Sequence, residues 1–143
     1  MSDIFDTSYE EAEIEMPEIV EEETKEEEIF TIVEDMPRFP GCENIANKEE
    51  RKNCAEGKLV QYLSKITYPP IAKENDIEGQ VFIKFLIDKS GAVTNVVVMR
   101  GADKILNDAA VNHVKRMPKW TPGKQRGQPV KVQFIVPIKF RLN

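Results

Sequence analysis

The clearest pattern in the chain lies near its end. From Val130 onward, Val130, Val132, Phe134, Val136, Ile138 and Phe140 take every second position, with Lys131, Gln133, Ile135, Pro137 and Lys139 between them. Side chains alternate faces along a strand, so this is one long strand with an apolar face and a mostly polar one. A sheet wet on one face is an antiparallel habit. Pro137 has no amide to donate, which confines it to an edge, a strand start or a bulge. The expectation is an edge strand, open to pairing.

A second alternation, Val81, Ile83, Phe85 and Ile87, is followed by Asp88-Lys89-Ser90-Gly91 and then by Val93 and Val96–Met99. Turn residues between two such runs predict an antiparallel hairpin. Two stretches read as helical. From Ala55, the residues Leu59, Val60, Leu63 and Ile66 share a face, ending before Tyr68-Pro69-Pro70. Pro69 or Pro70 can open a short helix through Glu74. Leu106, Ala110, His113, Val114 and Met117 share another face, with Asp103 as N-cap and Pro118 as terminator. The order helix, strand, strand, helix, strand predicts an α+β two-layer sandwich, with two helices packed on one face of a small antiparallel β-sheet.

Charge divides the chain. Residues 1–35 hold 15 acidic residues and one basic, a net of −14; the rest carries +9, which gives the overall −5. Residues 1–34 read as an acidic, disordered, linker-like segment, with order beginning between Ile29 and Met36. Ile29–Val33 is a short β-branched cluster suited to a strand or a docked extended segment. Residues 35–143 form the domain. Its lysines are scattered without aromatic interleaving, which argues against a nucleic-acid partner. No apolar run approaches the ~18 residues a membrane-spanning helix needs.

Candidate chemistry is sparse. His113 has no second histidine, cysteine or paired carboxylate beside it and reads as a packing residue. Asp103 and Asp108 suit a helix start. No nucleophile elbow or phosphate loop is present. No catalytic residue, metal or cofactor is expected. Cys42 and Cys54 are the only cysteines; a disulfide and two buried thiols are both open readings, and a structural zinc site lacks ligands.

Tyr68-Pro69-x-x-Ala72, Ile77-x-Gly79-x-Val81, Gly91-x-Val93 with Val96 and Val98, and Trp120-x-Pro122-Gly123-Lys124 together resemble the C-terminal domain of the TonB family of energy transducers. Met36-Pro37-Arg38-Phe39-Pro40-Gly41 and the ending from Pro129 to Phe140 look like its Bacteroidetes-type branch. The resemblance covers about residues 34–142 and departs from the branch at Cys42, where a second glycine is common. It implies a periplasmic domain whose full-length protein is held in the inner membrane by an anchor absent from this chain. That anchor joins proton-channel motor proteins. The domain would bind the TonB-box segment of TonB-dependent outer-membrane receptors by strand pairing. It would thereby transmit proton-motive energy for uptake of siderophores, vitamin B12 or glycans. The oxidising compartment favours a Cys42–Cys54 disulfide. The expected peptide-binding residues are Gln128, Val130, Lys131, Gln133, Ile135 and Lys139 on the last strand, flanked by Tyr68 and Pro69. The alternatives are a passive periplasmic scaffold or oligomerisation module, a last strand paired with its own copy in a homodimer or covered by Ile29–Val33, and the sensory tail of a membrane metallopeptidase-type signalling protein.

Overall fold

Alternation in the last strand is answered by alternation in the second, and their register sets the core. In the computed structural model, which describes residues 28–142, β2 (Gly79–Ile87) and β5 (Gln128–Phe140) pair antiparallel. The partners include Val81 with Ile138, Ile83 with Val136, Phe85 with Phe134 and Ile87 with Val132. Apolar residue thus meets apolar residue on one face. A one-residue slip would turn all of them to the other side. Burying each such side chain is worth about 1.5–3 kcal/mol, so the register is strongly specified.

The remaining elements are β1 (Ile29–Phe30), α1 (Lys48–Ser64), α2 (Pro70–Glu74), β3 (Val93–Arg100), α3 (Lys104–Lys115) and β4 (Gly123–Gln125). The sheet runs β1-β5-β2-β3, with β4 paired to β5. Ala72 of α2 and Leu106, Ala110 and Val114 of α3 are fully buried against the β2–β5 face, and Leu59, Tyr62 and Leu63 of α1 pack partly against it. This is the α+β architecture expected. One strand departs from the antiparallel pattern, because β1 joins β5 in parallel. The expected disorder of the leader falls on residues 1–27, outside the described residues. Ile29 and Phe30 are paired and Val33 is buried, so the chain takes part in the fold from before residue 35.

The first helix starts earlier than its apolar period. Asn47 caps it by accepting from the Glu50 amide at 2.9 Å, and Glu49 and Glu50 occupy the first turn. Those charges favour the helix N-terminus, while the first two turns face water and carry no apolar signal. Val60, expected on the packed face, is 64% exposed; Leu59 and Leu63 carry the contact instead. Cys42 and Cys54 are joined, with Cα atoms 6.0 Å apart, which fixes the loop after Gly41 to the second turn of α1.

The β2–β3 turn is held from both sides. The Asp88 carboxylate accepts from the amides of Ser90 and Ala92 at 2.9 Å each. Gly91 has φ +93, and an added Cβ would meet the Trp120 carbonyl oxygen at 2.0 Å. Only glycine fits that turn beside the Trp120 backbone.

Candidate peptide-binding edge

β5 is paired with β2 along one side from Val132 to Phe140. Two further strands pair with it near its start. At the tip, β4 pairs with Gln128, Pro129 and Val130 through a two-residue turn, Arg126-Gly127, with φ of 56° and 79°. Two successive positive φ values are what a tight hairpin turn demands. Next, Ile29 and Phe30 lie opposite Lys131 and Val132. Beyond Val132, no strand among the described residues pairs with the side of β5 that faces away from β2.

The expected free edge therefore needs correction. It does not run the length of the strand, because β1 lies beside Lys131 and Val132 on the side away from β2. Of the expected binding residues, Gln128 and Val130 sit in the β4 hairpin, and Lys131 lies beside Ile29. Gln133, Ile135 and Lys139 lie on the open stretch, opposite Leu86, Lys84 and Gln80 of β2. Ile135 is 44% exposed on the face away from the helices. Pro137 falls among them.

Tyr68 and Pro69 stand at the far end. The Tyr68 ring meets Phe140 edge-on at 5.6 Å, and its hydroxyl donates to the Ile77 carbonyl oxygen. Burial lifts the Tyr68 phenol above its ordinary value, and the charges of Glu78 and Asp76 add to this. Pro69 caps α2, with Pro70 opening the helix. The structure thus brings Tyr68 and Pro69 to the Lys139–Phe140 end and separates them from Gln128. The chain after β5 is tied there too, since the Leu142 amide donates to Glu78 at 2.8 Å.

The covering segment at the tip is also anchored. The Asp35 and Lys124 backbones exchange hydrogen bonds of 3.1 and 2.8 Å, and those of Arg38 and Thr121 do the same at 3.0 and 2.9 Å. The Glu34 carboxylate accepts from the Arg126 amide at 2.9 Å. The existence of β4 was not anticipated, whereas cover of the last strand by Ile29–Val33 was among the alternatives, and Ile29 and Phe30 supply it at Lys131 and Val132. The Arg126-Gly127 pair between Gln125 and an alternating run was the local signal for the hairpin. A two-residue parallel strand leaves no such signal.

The arrangement offers backbone donors and acceptors, not reactive groups. Among the described residues there is no cluster of three metal-ligating side chains, and no helix is long and apolar enough to cross a membrane. His113 is half-buried and stacked on Tyr62.

Residues 64–142, more than half of the chain, match the family described as "Gram-negative bacterial TonB protein C-terminal". Two curated relatives, "Protein TonB" of Helicobacter pylori strains ATCC 700392 / 26695 and J99 / ATCC 700824, are each 32% identical over 77 residues. That stretch is 53% of this chain but only 27% and 28% of those proteins. An NMR solution structure of the Helicobacter pylori TonB-CTD is similar at 28% identity and a TM-score of 0.48, covering 62% of this chain and 80% of that one. A second has 30% identity and a TM-score of 0.46, covering 59% and 90%.

Proposed function

This chain belongs to the TonB C-terminal family, and from that premise we propose that it is a periplasmic domain that captures an extended receptor segment along β5. The observation that carries the proposal is the side of β5 beyond Val132, which has no strand partner among the described residues while its inner side is paired to Phe140. A strand open on one side is a template for an added strand.

Backbone groups alternate sides along a strand. A proline is tolerated where its missing amide faces the unpaired side, which puts the N–H and C=O of Gln133, Ile135 and Lys139 on that side with Pro137. β3 is the competing edge. Its register against β2 shifts twice, and Asn95 has φ 52°. Bulges blunt an edge, whereas the β2–β5 register is unbroken from Gly79 to Ile87. The docking strand is therefore β5.

Each backbone hydrogen bond contributes only about 0.5–1.5 kcal/mol net. A few of them give a sequence-tolerant, moderate affinity, suited to a connection repeatedly made and released. The partner is the TonB-box segment of a TonB-dependent outer-membrane receptor. In the full-length protein, an inner-membrane anchor and its proton-channel motor proteins would supply the pull for siderophore, vitamin B12 or glycan uptake. The domain works by binding, without catalysis. Titrating a receptor plug-segment peptide into ¹⁵N-labelled protein should move the amides of Gln133, Ile135 and Lys139 ahead of those of Val97–Met99. Shifts confined to β3, or none at saturating peptide, would overturn the proposal.

A further inference from the structure

The face of the sheet turned away from the helices carries one sign of charge. The strands β2, β3 and β5 contain no aspartate or glutamate, while Lys84, Arg100, Lys131 and Lys139 stand on them. Register places Lys84 between Ile135 and Val97, and Arg100 opposite Phe82, on that outward face. Lys139 shares the face of Ile135 by alternation. Among the described residues, no carboxylate forms an ion pair with Lys84, Arg100 or Lys139. Between the cations the face is apolar, with Ile135 44% and Val97 46% exposed. One rim of this basic face is the stretch of β5 beyond Val132 that has no strand partner among the described residues.

The complementary charge is in the same chain. Residues 1–35 carry a net −14, and within them Glu11, Ala12, Glu13, Ile14, Glu15 and Met16 alternate strictly before Pro17. This run, outside the described residues, has the period of a strand, with glutamates for one face and apolar residues for the other. A proline at its end bounds it as strand runs are bounded. Residues 17–28 reach at most about 40 Å when extended. The open stretch of β5 ends only about 27 Å along the strand from Lys131, where β1 enters the sheet. The tether is therefore long enough.

We infer that residues 11–16 pair as an added strand with the open side of β5 beyond Val132. Glu11, Glu13 and Glu15 then face outward beside Lys139, within the field of Lys84 and Arg100, and Ala12, Ile14 and Met16 face inward beside Val136 and Ile138. The segment occupies the edge assigned above to the receptor, so the inference rests on that reading, and the chain covers its own docking edge until a receptor segment displaces it. Opposite charges on neighbouring strands favour such pairing. A tethered segment has an effective concentration on the order of millimolar, so even weak pairing competes with a receptor.

The test compares ¹⁵N-labelled whole chains, first without any peptide. One variant combines Glu11→Lys, Glu13→Lys and Glu15→Lys, a second is Ile14→Pro, and a control makes the same charge change through Glu21→Lys, Glu22→Lys and Glu23→Lys. The amides of Gln133, Ile135 and Lys139 should shift and exchange faster with solvent in the first two variants, and stay near parental in the control. Plug-segment affinity should then rise about threefold or more in those two variants, which corresponds to an edge covered about two thirds of the time in the parent. β5 amides that are the same in the parent and both variants overturn the inference, whether or not a plug segment binds, so the two readings fail separately. Equal shifts in the control reduce the effect to general charge and overturn the strand assignment. Shifts that vanish on dilution assign the contact to a second copy and overturn the tethered pairing.

Discussion

Tyr62 and His113 each hold the other's backbone. The Tyr62 hydroxyl donates to the His113 carbonyl oxygen at 2.7 Å, and the His113 Nε2 donates to the Tyr62 carbonyl oxygen at 2.7 Å. Their rings stack at 4.3 Å with planes 17° apart. The two residues sit in the last turns of α1 and α3, where each carbonyl also accepts from a C-cap amide, that of Lys65 on Tyr62 and that of Arg116 on His113, at 3.2 Å each. The pair adds a second hydrogen bond to each carbonyl and clamps two helices over the sheet.

That clamp makes a graded prediction. Tyr62→Phe removes one hydrogen bond and keeps the ring, so it should cost about 1 kcal/mol. His113→Ala removes a hydrogen bond and the stacked ring, which adds about 0.5–1.5 kcal/mol. Urea midpoints should fall in that order. An unchanged midpoint for His113→Ala would show that the pair does not hold the helices.

How much of this was legible in the sequence depends on how each element is specified. β2 and β5 bury one face each, so their alternation declares both the strands and the packed side. Leu106, Ala110 and Val114 show the same for α3. The start of α1 left no apolar trace because Lys48 to Lys52 is solvated, and Val60 misled because apolar character does not force burial. At the candidate site, Pro137 correctly pointed to an unpaired side. The cover over Lys131 and Val132 comes from Ile29 and Phe30, a contact about a hundred residues away in the chain, and no local pattern encodes it. Tyr68 was visible as a motif residue, but its place beside Phe140 required the fold.

The Cys42–Cys54 bond closes a short loop, with a sequence separation of 12. Its removal by Cys42→Ser with Cys54→Ser should lower stability by about 2–4 kcal/mol. Peptide binding should persist, since the bond lies away from residues 133–139. Equal denaturation midpoints for the double variant and the oxidised parent would contradict a stapling role.

Asp88 links the β2–β3 turn to pH. Burial raises its carboxyl, but hydrogen bonds from the Ser90 hydroxyl and the Ala92, Ser90 and Gly91 amides outweigh this, and the group titrates below its ordinary value. A depressed folded pKa stabilises the fold above the unfolded value and loses that contribution as pH falls through the folded one. Asp88→Asn should therefore be less stable than the parent at neutral pH. The gap should close as pH drops below the ordinary aspartate value of about 3.9. A gap independent of pH would assign the effect to something other than ionisation.

The central claim is that a receptor segment pairs with the backbone of β5 beyond Val132, and Ile135 tests it most directly. Its amide is assigned to the open side by Pro137, and its side chain lies on the face away from the helices. Ile135→Pro removes the donor, while Ile135→Ala keeps it and removes the side chain. Plug-segment affinity should be measured for both by calorimetry, after their spectra show folded protein. The account predicts near-parental affinity for Ile135→Ala and a loss of about tenfold for Ile135→Pro, the equivalent of roughly 1.4 kcal/mol. If Ile135→Pro folds and binds like the parent, the segment does not dock on this edge.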